Sequence, residues 1–199
     1  TNLTNLRLTS DHIKSLPSSF SSMTHLSKLD LNNNLLGEFP PVLSTLTNLI
    51  DLQLIQNTMR SIPDFIGALV KLTFLVLTAN QITSLPASFS NLTNLVYLEL
   101  VGNAFTTFPS ALFALTNVTD LSLQYNGLTD LPPQISSLKK LASFHLTGNP
   151  FTAFPEAICD LTALTLLEVN ETNIPSIPAR ISQLTKMKNI KLSNTLIST

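Results

Sequence analysis

Residues 72–94 read LTFLVLTANQITSLPASFSNLTN, and the same pattern returns along the whole chain. Its apolar positions are Leu72, Leu75, Leu77, Ile82, Leu85, Phe89 and Leu92, with Asn80 and Pro86 set between them. The residue that opens the unit recurs as Leu3, Leu26, Leu49, Leu72, Leu95, Val118, Leu141, Leu164 and Met187. Every step is 23 residues, with no insertion or deletion. The chain therefore holds eight full units and a ninth that starts at residue 187 and stops at Thr199. A fixed period of this length marks units that stack on one another and share one core.

Each part of the unit has a local physical reading. The stretch L-x-x-L-x-L alternates apolar and other residues, which is the period of a strand with one buried face. Leu75 and Leu77 are expected to point inward, and Phe74, Val76 and Thr78 outward. One such strand is not stable alone, but nine stacked in parallel give a continuous sheet, roughly 40 Å long at ~4.8 Å per strand. After each strand comes an asparagine: Asn34, Asn57, Asn80, Asn103, Asn126 and Asn149. A buried amide at that point can satisfy backbone groups that a turn leaves unpaired. Asp11, Thr172 and Thr195 break the column, so those repeats are expected to be less well tied. Eight of the twelve prolines also form a column, from Pro17 to Pro178. Proline fixes φ and lacks an N–H, so the expectation is a first-turn residue of a short helix. The residues that follow have helical spacing but are too few for more than short 3₁₀ or α turns. Phe39, Phe105, Phe108, Phe151 and Phe154 are expected to fill the core behind the sheet.

This pattern, L-x-x-L-x-L-x-x-N-x-L followed by an L-P step, resembles the leucine-rich repeat family, and the resemblance covers essentially the whole chain. The 23-residue L-P unit is similar to repeats of Ras-group signalling scaffolds and of receptor ectodomains. The resemblance implies an α/β solenoid wound as a right-handed superhelix. It places the parallel sheet on the concave face and short turns on the convex face. It also implies that residues 1–199 form a single repeat domain whose partners bind on the concave sheet. The chain opens on a repeat, with neither an initiator Met nor a signal-peptide pattern, so it reads as a piece of a longer protein without its capping repeats. Fraying at both ends is expected, since solenoids need such caps.

The outward columns are candidates for partner binding. Phe74 and Tyr97 fall side by side in adjacent repeats, with Ile55, Val76 and Val101 around them. Aromatic residues clustered within a polar rim have the composition of a binding hot spot. β-branched and aromatic residues also simply favour strands, which is the alternative account. Asp51, Gln53, Glu99, Asp120, Ser122 and His145 complete the candidate surface and give its centre an acidic cast. A protein or peptide with an apolar anchor and a basic neighbour would fit it.

Chemistry is conspicuous by its absence. The three histidines, His12, His25 and His145, fall in different columns, and no His/Cys/Asp group has metal-ligand spacing. No phosphate-binding loop, dinucleotide fingerprint or serine-nucleophile motif occurs, so no catalytic residue, cofactor or metal is expected. Glu99 and Asp120 lie on adjacent strands of an open sheet and read as solvated rim charges. Charged residues make up 12% of the chain and the formal net charge is −1. That balance argues against nucleic acid and against an anionic membrane. No apolar run is long enough to span a bilayer. The lone Cys159 forms no internal disulfide and reads as a buried thiol.

Asn91 and Asn117 lie in N-x-S/T sequons and are the candidate glycosylation acceptors. The four sequons in the chain match the chance expectation from 18 Asn and 45 Ser plus Thr in 199 residues, so their number decides nothing. The low charge and the Ser, Thr and Asn content point to the cell surface or outside, with the cytoplasm as the alternative. The functional expectation is a protein-binding scaffold, the recognition segment of a larger receptor- or adhesion-type protein. Two alternatives stay open: an intracellular Ras-group scaffold, or the recognition arm of a multidomain kinase, GTPase or ligase.

Overall fold

The computed structural model describes residues 2–197. Nine strands of three residues each are joined by eight five-residue 3₁₀ segments, in strict alternation. The strands are β1 Asn5–Arg7, β2 Lys28–Asp30, β3 Asp51–Gln53, β4 Phe74–Val76, β5 Tyr97–Glu99, β6 Asp120–Ser122, β7 Ser143–His145, β8 Leu166–Glu168 and β9 Asn189–Lys191. They pair in chain order into one open, all-parallel sheet. The register equals the repeat: Leu29 faces Leu52, Leu52 faces Leu75, and Leu75 faces Leu98. Further backbone bonds carry the ladder past the strands, as in Leu77 N–H to Glu99 O at 2.9 Å and Ala79 N–H to Val101 O at 2.8 Å.

The core lies behind the sheet. Leu26 through Leu184 form one continuous apolar cluster that includes the five phenylalanines read from the sequence. Phe105 and Phe151 are wholly buried, and Phe39, Phe108 and Phe154 nearly so. Cys159 is buried as well, and burial pushes its thiol pKa up. Toward the ends the cover thins. Leu6 and Ile190 are only partly buried, and Leu196 is exposed.

The proline column corrects one expectation. Pro17, Pro86 and Pro132 have extended backbone and precede their 3₁₀ segments as N-caps, not as first-turn residues. The proline carbonyl accepts the first helical bond, as in Phe20 N–H to Pro17 O at 3.0 Å. A residue whose φ is already fixed but whose ψ stays extended turns the chain out of the core and into the segment in one step. The first-turn position is taken by proline only where two follow each other, at Pro41 and Pro133.

The asparagine column behaves as expected, and its geometry explains the tight stacking. Asn80 is buried; its Oδ1 accepts from Met59 N–H at 3.2 Å. Its Nδ2 donates to Leu54 O and Leu77 O, both at 3.0 Å. Asn57 also reaches Leu54 O, and Asn103 also reaches Leu77 O. Each of these carbonyls is thus held by its own repeat and by the next. Thr172, in the same column, makes a single bond to Val169 O at 2.9 Å. Phe151 N–H, which an asparagine at 172 would take, turns instead to Asn149 O.

One column escaped the sequence reading. The residue before each asparagine position has positive φ: Ser10, Asn33, Gln56, Ala79, Gly102, Tyr125, Gly148, Glu171 and Asn194. Only two of the nine are glycine. The turn is imposed by the stack, so the left-handed conformation is tolerated at residues that disfavour it.

Candidate functional site

The concave face carries two columns that the strands hold in register, opening with Asn5 and Arg7 and running to Asn189 and Lys191. Their side chains sort into three groups. At the first end Arg7 pairs with Asp30 at 3.1 Å and Lys28 with Asp51 at 4.0 Å. Gln53 donates from Nε2 to Asp51 Oδ1 at 3.1 Å. At the other end Glu168 receives Lys191 Nζ at 2.6 Å, His145 Nδ1 at 2.9 Å and Gln124 Nε2 at 3.1 Å. Burial pushes the Glu168 carboxyl pKa up, but the bonds from Lys191 and His145 outweigh it and hold the group below its ordinary value.

The centre is different. The Phe74 and Tyr97 rings are stacked, with centroids 4.4 Å apart and planes 8° from parallel. Strand register puts them there, because Phe74 and Tyr97 are direct partners across β4 and β5. The Tyr97 hydroxyl donates to Glu99 Oε2 at 2.6 Å, and Thr78 Oγ1 donates to Glu99 Oε1 at 2.6 Å. Burial, then the bond to Glu99, and then the Glu99 and Asp120 charges push the Tyr97 phenol pKa far above its ordinary range. Asp120 accepts from its neighbour Thr119 Oγ1 at 2.6 Å.

A consequence follows for the five concave carboxylates among the described residues. Asp30, Asp51 and Glu168 each have a cationic partner one repeat away, whereas Glu99 and Asp120 have only hydroxyls. These two line a hollow of about 360 Å³ with Tyr97, Val101, Ser122 and His145. They are half-buried and bonded, which corrects the expectation of freely solvated rim charges.

The proposed apolar patch is also less open than the sequence suggested. Phe74, Tyr97, Ile55 and Val101 are half-buried, and Val76 is only 4% exposed. Val76 lies outside the inner core cluster and sits between its register partners Gln53 and Glu99. It supports the surface without presenting much of it. Thr78, Gln124, Glu168 and Lys191 were not singled out by sequence reasoning. The signal was available in the last two: Glu168 stands one repeat from both His145 and Lys191, so columns aligned at 23 residues already pair the charges.

Asn91 is exposed at the end of a 3₁₀ segment. Asn117 is half-buried; its Nδ2 donates to Thr93 O at 2.8 Å and its Oδ1 accepts from Lys140 at 2.7 Å. Of the two sequons, only Asn91 offers a free amide. Among the described residues no group of His, Cys, Asp and Glu could hold a metal ion. Among the described residues no helix is long and apolar enough to cross a membrane.

Comparison with known proteins agrees with the fold. The Leucine Rich Repeat family model matches residues 25–46. No curated protein matches the sequence. Among solved structures, the chain is similar to an internalin (inlF) of Listeria monocytogenes, at 24% identity over 99% of this chain and 56% of that one, TM-score 0.89. The plant peptide hormone receptor RGFR1, solved in complex with RGF2, matches at 29% identity over 96% of this chain and 32% of its own, TM-score 0.80. TLR13, solved with ssRNA13, matches at 31% identity over 98% of this chain and 29% of its own, TM-score 0.85. The chain thus spans little more than half of the internalin and about a third of each receptor.

Proposed function

We propose that this chain, which belongs to the leucine-rich repeat family, is the recognition segment of a larger receptor- or adhesion-type protein and binds a protein or peptide on its concave sheet. One observation carries the reading. The central Phe74–Tyr97 stack adjoins Glu99 and Asp120, the concave carboxylates that lack a cation while their neighbours have one. A partner that lays an apolar side chain on the aromatic pair and a lysine or arginine over the hollow supplies both missing elements. The aromatic rings are pre-stacked and Glu99 is held by two hydroxyls, so little ordering remains to be done on binding.

The solved neighbours support binding of either peptide or RNA, since RGFR1 is seen with RGF2 and TLR13 with ssRNA13. The charge of this concave face favours the peptide. Its two columns carry Arg7, Lys28 and Lys191 against Asp30, Asp51, Glu99, Asp120 and Glu168. A net negative groove repels a phosphate backbone.

Selection of a random peptide library on the folded protein tests this. Enriched peptides should place a basic residue next to an apolar one. Phe74→Ala with Tyr97→Ala should weaken them at least tenfold, and Glu99→Gln with Asp120→Asn should remove the basic preference. Peptides that bind both variants as well as the parent would move the site elsewhere on the molecule.

A further inference from the structure

The net charge of −1 conceals a segregation. Each 3₁₀ segment is joined to the next strand by a five-residue turn, and these turns together form one rim of the solenoid: residues 23–27, 46–50, 69–73, 92–96, 115–119, 138–142, 161–165 and 184–188. They hold five lysines, Lys71, Lys139, Lys140, Lys186 and Lys188, and no carboxylate at all. The rest of the chain holds the remaining six Lys and Arg against all twelve Asp and Glu. The rim is therefore +5 and everything else −6.

All five lysines are exposed, and among the described residues none has an acidic partner. Two are held in place by neutral groups: Lys71 Nζ donates to Asn48 Oδ1 and Lys140 Nζ to Asn117 Oδ1, each at 2.7 Å and each to the preceding repeat. These asparagines, with Asn94, donate in turn to backbone carbonyls one repeat back. The rim is thus a laced edge, and because every turn has the same length Lys71, Lys140 and Lys186 share one column of it, with Lys139 and Lys188 in columns to either side. From Lys71 to Lys188 is five repeats, about 24 Å at ~4.8 Å per strand.

The same edge presents apolar side chains. Ile50, Val70 and Val96, each more than 40% exposed, all lie on it around Lys71. At the Val70 position the other repeats carry Thr24, Thr47, Thr93, Thr116, Lys139, Thr162 and Thr185, so an exposed valine there is a departure from the pattern.

We infer that this rim docks on an anionic lipid surface, with the lysines against headgroups and Ile50, Val70 and Val96 at the interface. Uncompensated lysines spread along one edge meet several headgroups of a bilayer at once. A fully hydrated polyanion would engage the lysines but leave the apolar trio without a role, which is why a lipid surface fits better. The concave sheet stays open beside the membrane, so this docking does not depend on the peptide reading above. The overall charge pointed away from such a surface only because it averages two opposed regions.

The test is sedimentation of the protein with vesicles of phosphatidylcholine alone or mixed with phosphatidylserine. Binding is expected only to the mixed vesicles and should fall steeply with added salt. At roughly fivefold per lysine, Lys139→Gln with Lys186→Gln and Lys188→Gln should weaken it on the order of a hundredfold. The side chains of these three make no hydrogen bond among the described residues, so the variant keeps the laced edge. Ile50→Ser with Val96→Ser should weaken the binding that survives at moderate salt. Equal binding to both vesicle types, or no effect of the lysine variant, overturns the inference. So does no vesicle binding at all, and so does binding to dextran sulfate without binding to vesicles, which would assign the rim to a soluble polyanion.

Discussion

Replacing Asn80 with alanine tests the physics that sets the repeat spacing. The side chain is 7% exposed and makes bonds to four backbone groups in two repeats, the longest to Thr78 O at 3.3 Å. Its loss leaves Met59 N–H, in a wholly buried residue, without an acceptor. An orphaned buried donor costs about 1–3 kcal/mol. The carbonyls of Leu54 and Leu77 suffer less, because Asn57 and Asn103 still reach them. Each of those losses is about 0.5–1.5 kcal/mol. For these three groups the total is ~2–6 kcal/mol, a large share of the stability of an ordinary domain. Asn80→Asp is the sharper variant. It keeps the acceptor for Met59 N–H but turns an oxygen toward three carbonyls, so it should cost no less than alanine. Asn103→Ala should cost less, because Asn103 is only half-buried and water can replace it. Urea unfolding followed by circular dichroism gives the totals. Hydrogen exchange at Met59 N–H gives the local effect, which matters because repeat arrays can open in part. A cost under ~0.5 kcal/mol for Asn80→Ala, or an Asn80→Asp protein as stable as the parent, would refute the reasoning.

Other outcomes follow from the same geometry. Gly102 and Gly148 both have positive φ, but a Cβ at Gly148 would lie 2.4 Å from Tyr125 Cδ1, while at Gly102 the nearest atom is 3.7 Å away. Gly102→Ala should cost about 1–2 kcal/mol from backbone strain alone. Gly148→Ala should cost more, and Tyr125→Ala should relieve the excess in a double-mutant cycle; equal costs at the two sites would remove the ring contact from the explanation. Tyr97 should ionise well above the ordinary tyrosine value near ~10, seen as tyrosinate absorbance that is lost in Tyr97→Phe and comes earlier in Glu99→Gln. Because the folded phenol has the raised pKa, its contribution to stability is full below the unfolded value and is lost as pH climbs through the folded one. Unchanged titration in Glu99→Gln would mean the bond to Glu99 does not hold the proton. Hydrogen exchange should be fastest in the repeats around β1 and β9, whose strand centres are only partly buried, and slowest from Leu72 to Leu141; uniform protection along the array would contradict this.

The period of 23 residues was enough to give the solenoid, the strand order, the inward leucines and the asparagine column. These follow from local rules, because an apolar residue that recurs at one phase of a stacked unit can go only to the shared spine. Register came with them, since identical unit lengths leave no other pairing, and so Phe74 and Tyr97 were already neighbours on paper. What the sequence could not give is how side chains on the open face use one another. Val76 is closed over, Glu99 is engaged by two hydroxyls, and Asn117 is drawn into the rim, and none of these could be predicted from alternation alone. The left-handed turn column and the N-cap prolines belong here too, since the stack forces backbone angles that residue preferences do not announce. Net charge was the most misleading sum, because charge acts through position. The five rim lysines are spread over 118 residues of sequence, from Lys71 to Lys188, and only the winding of the chain lines them up along one edge.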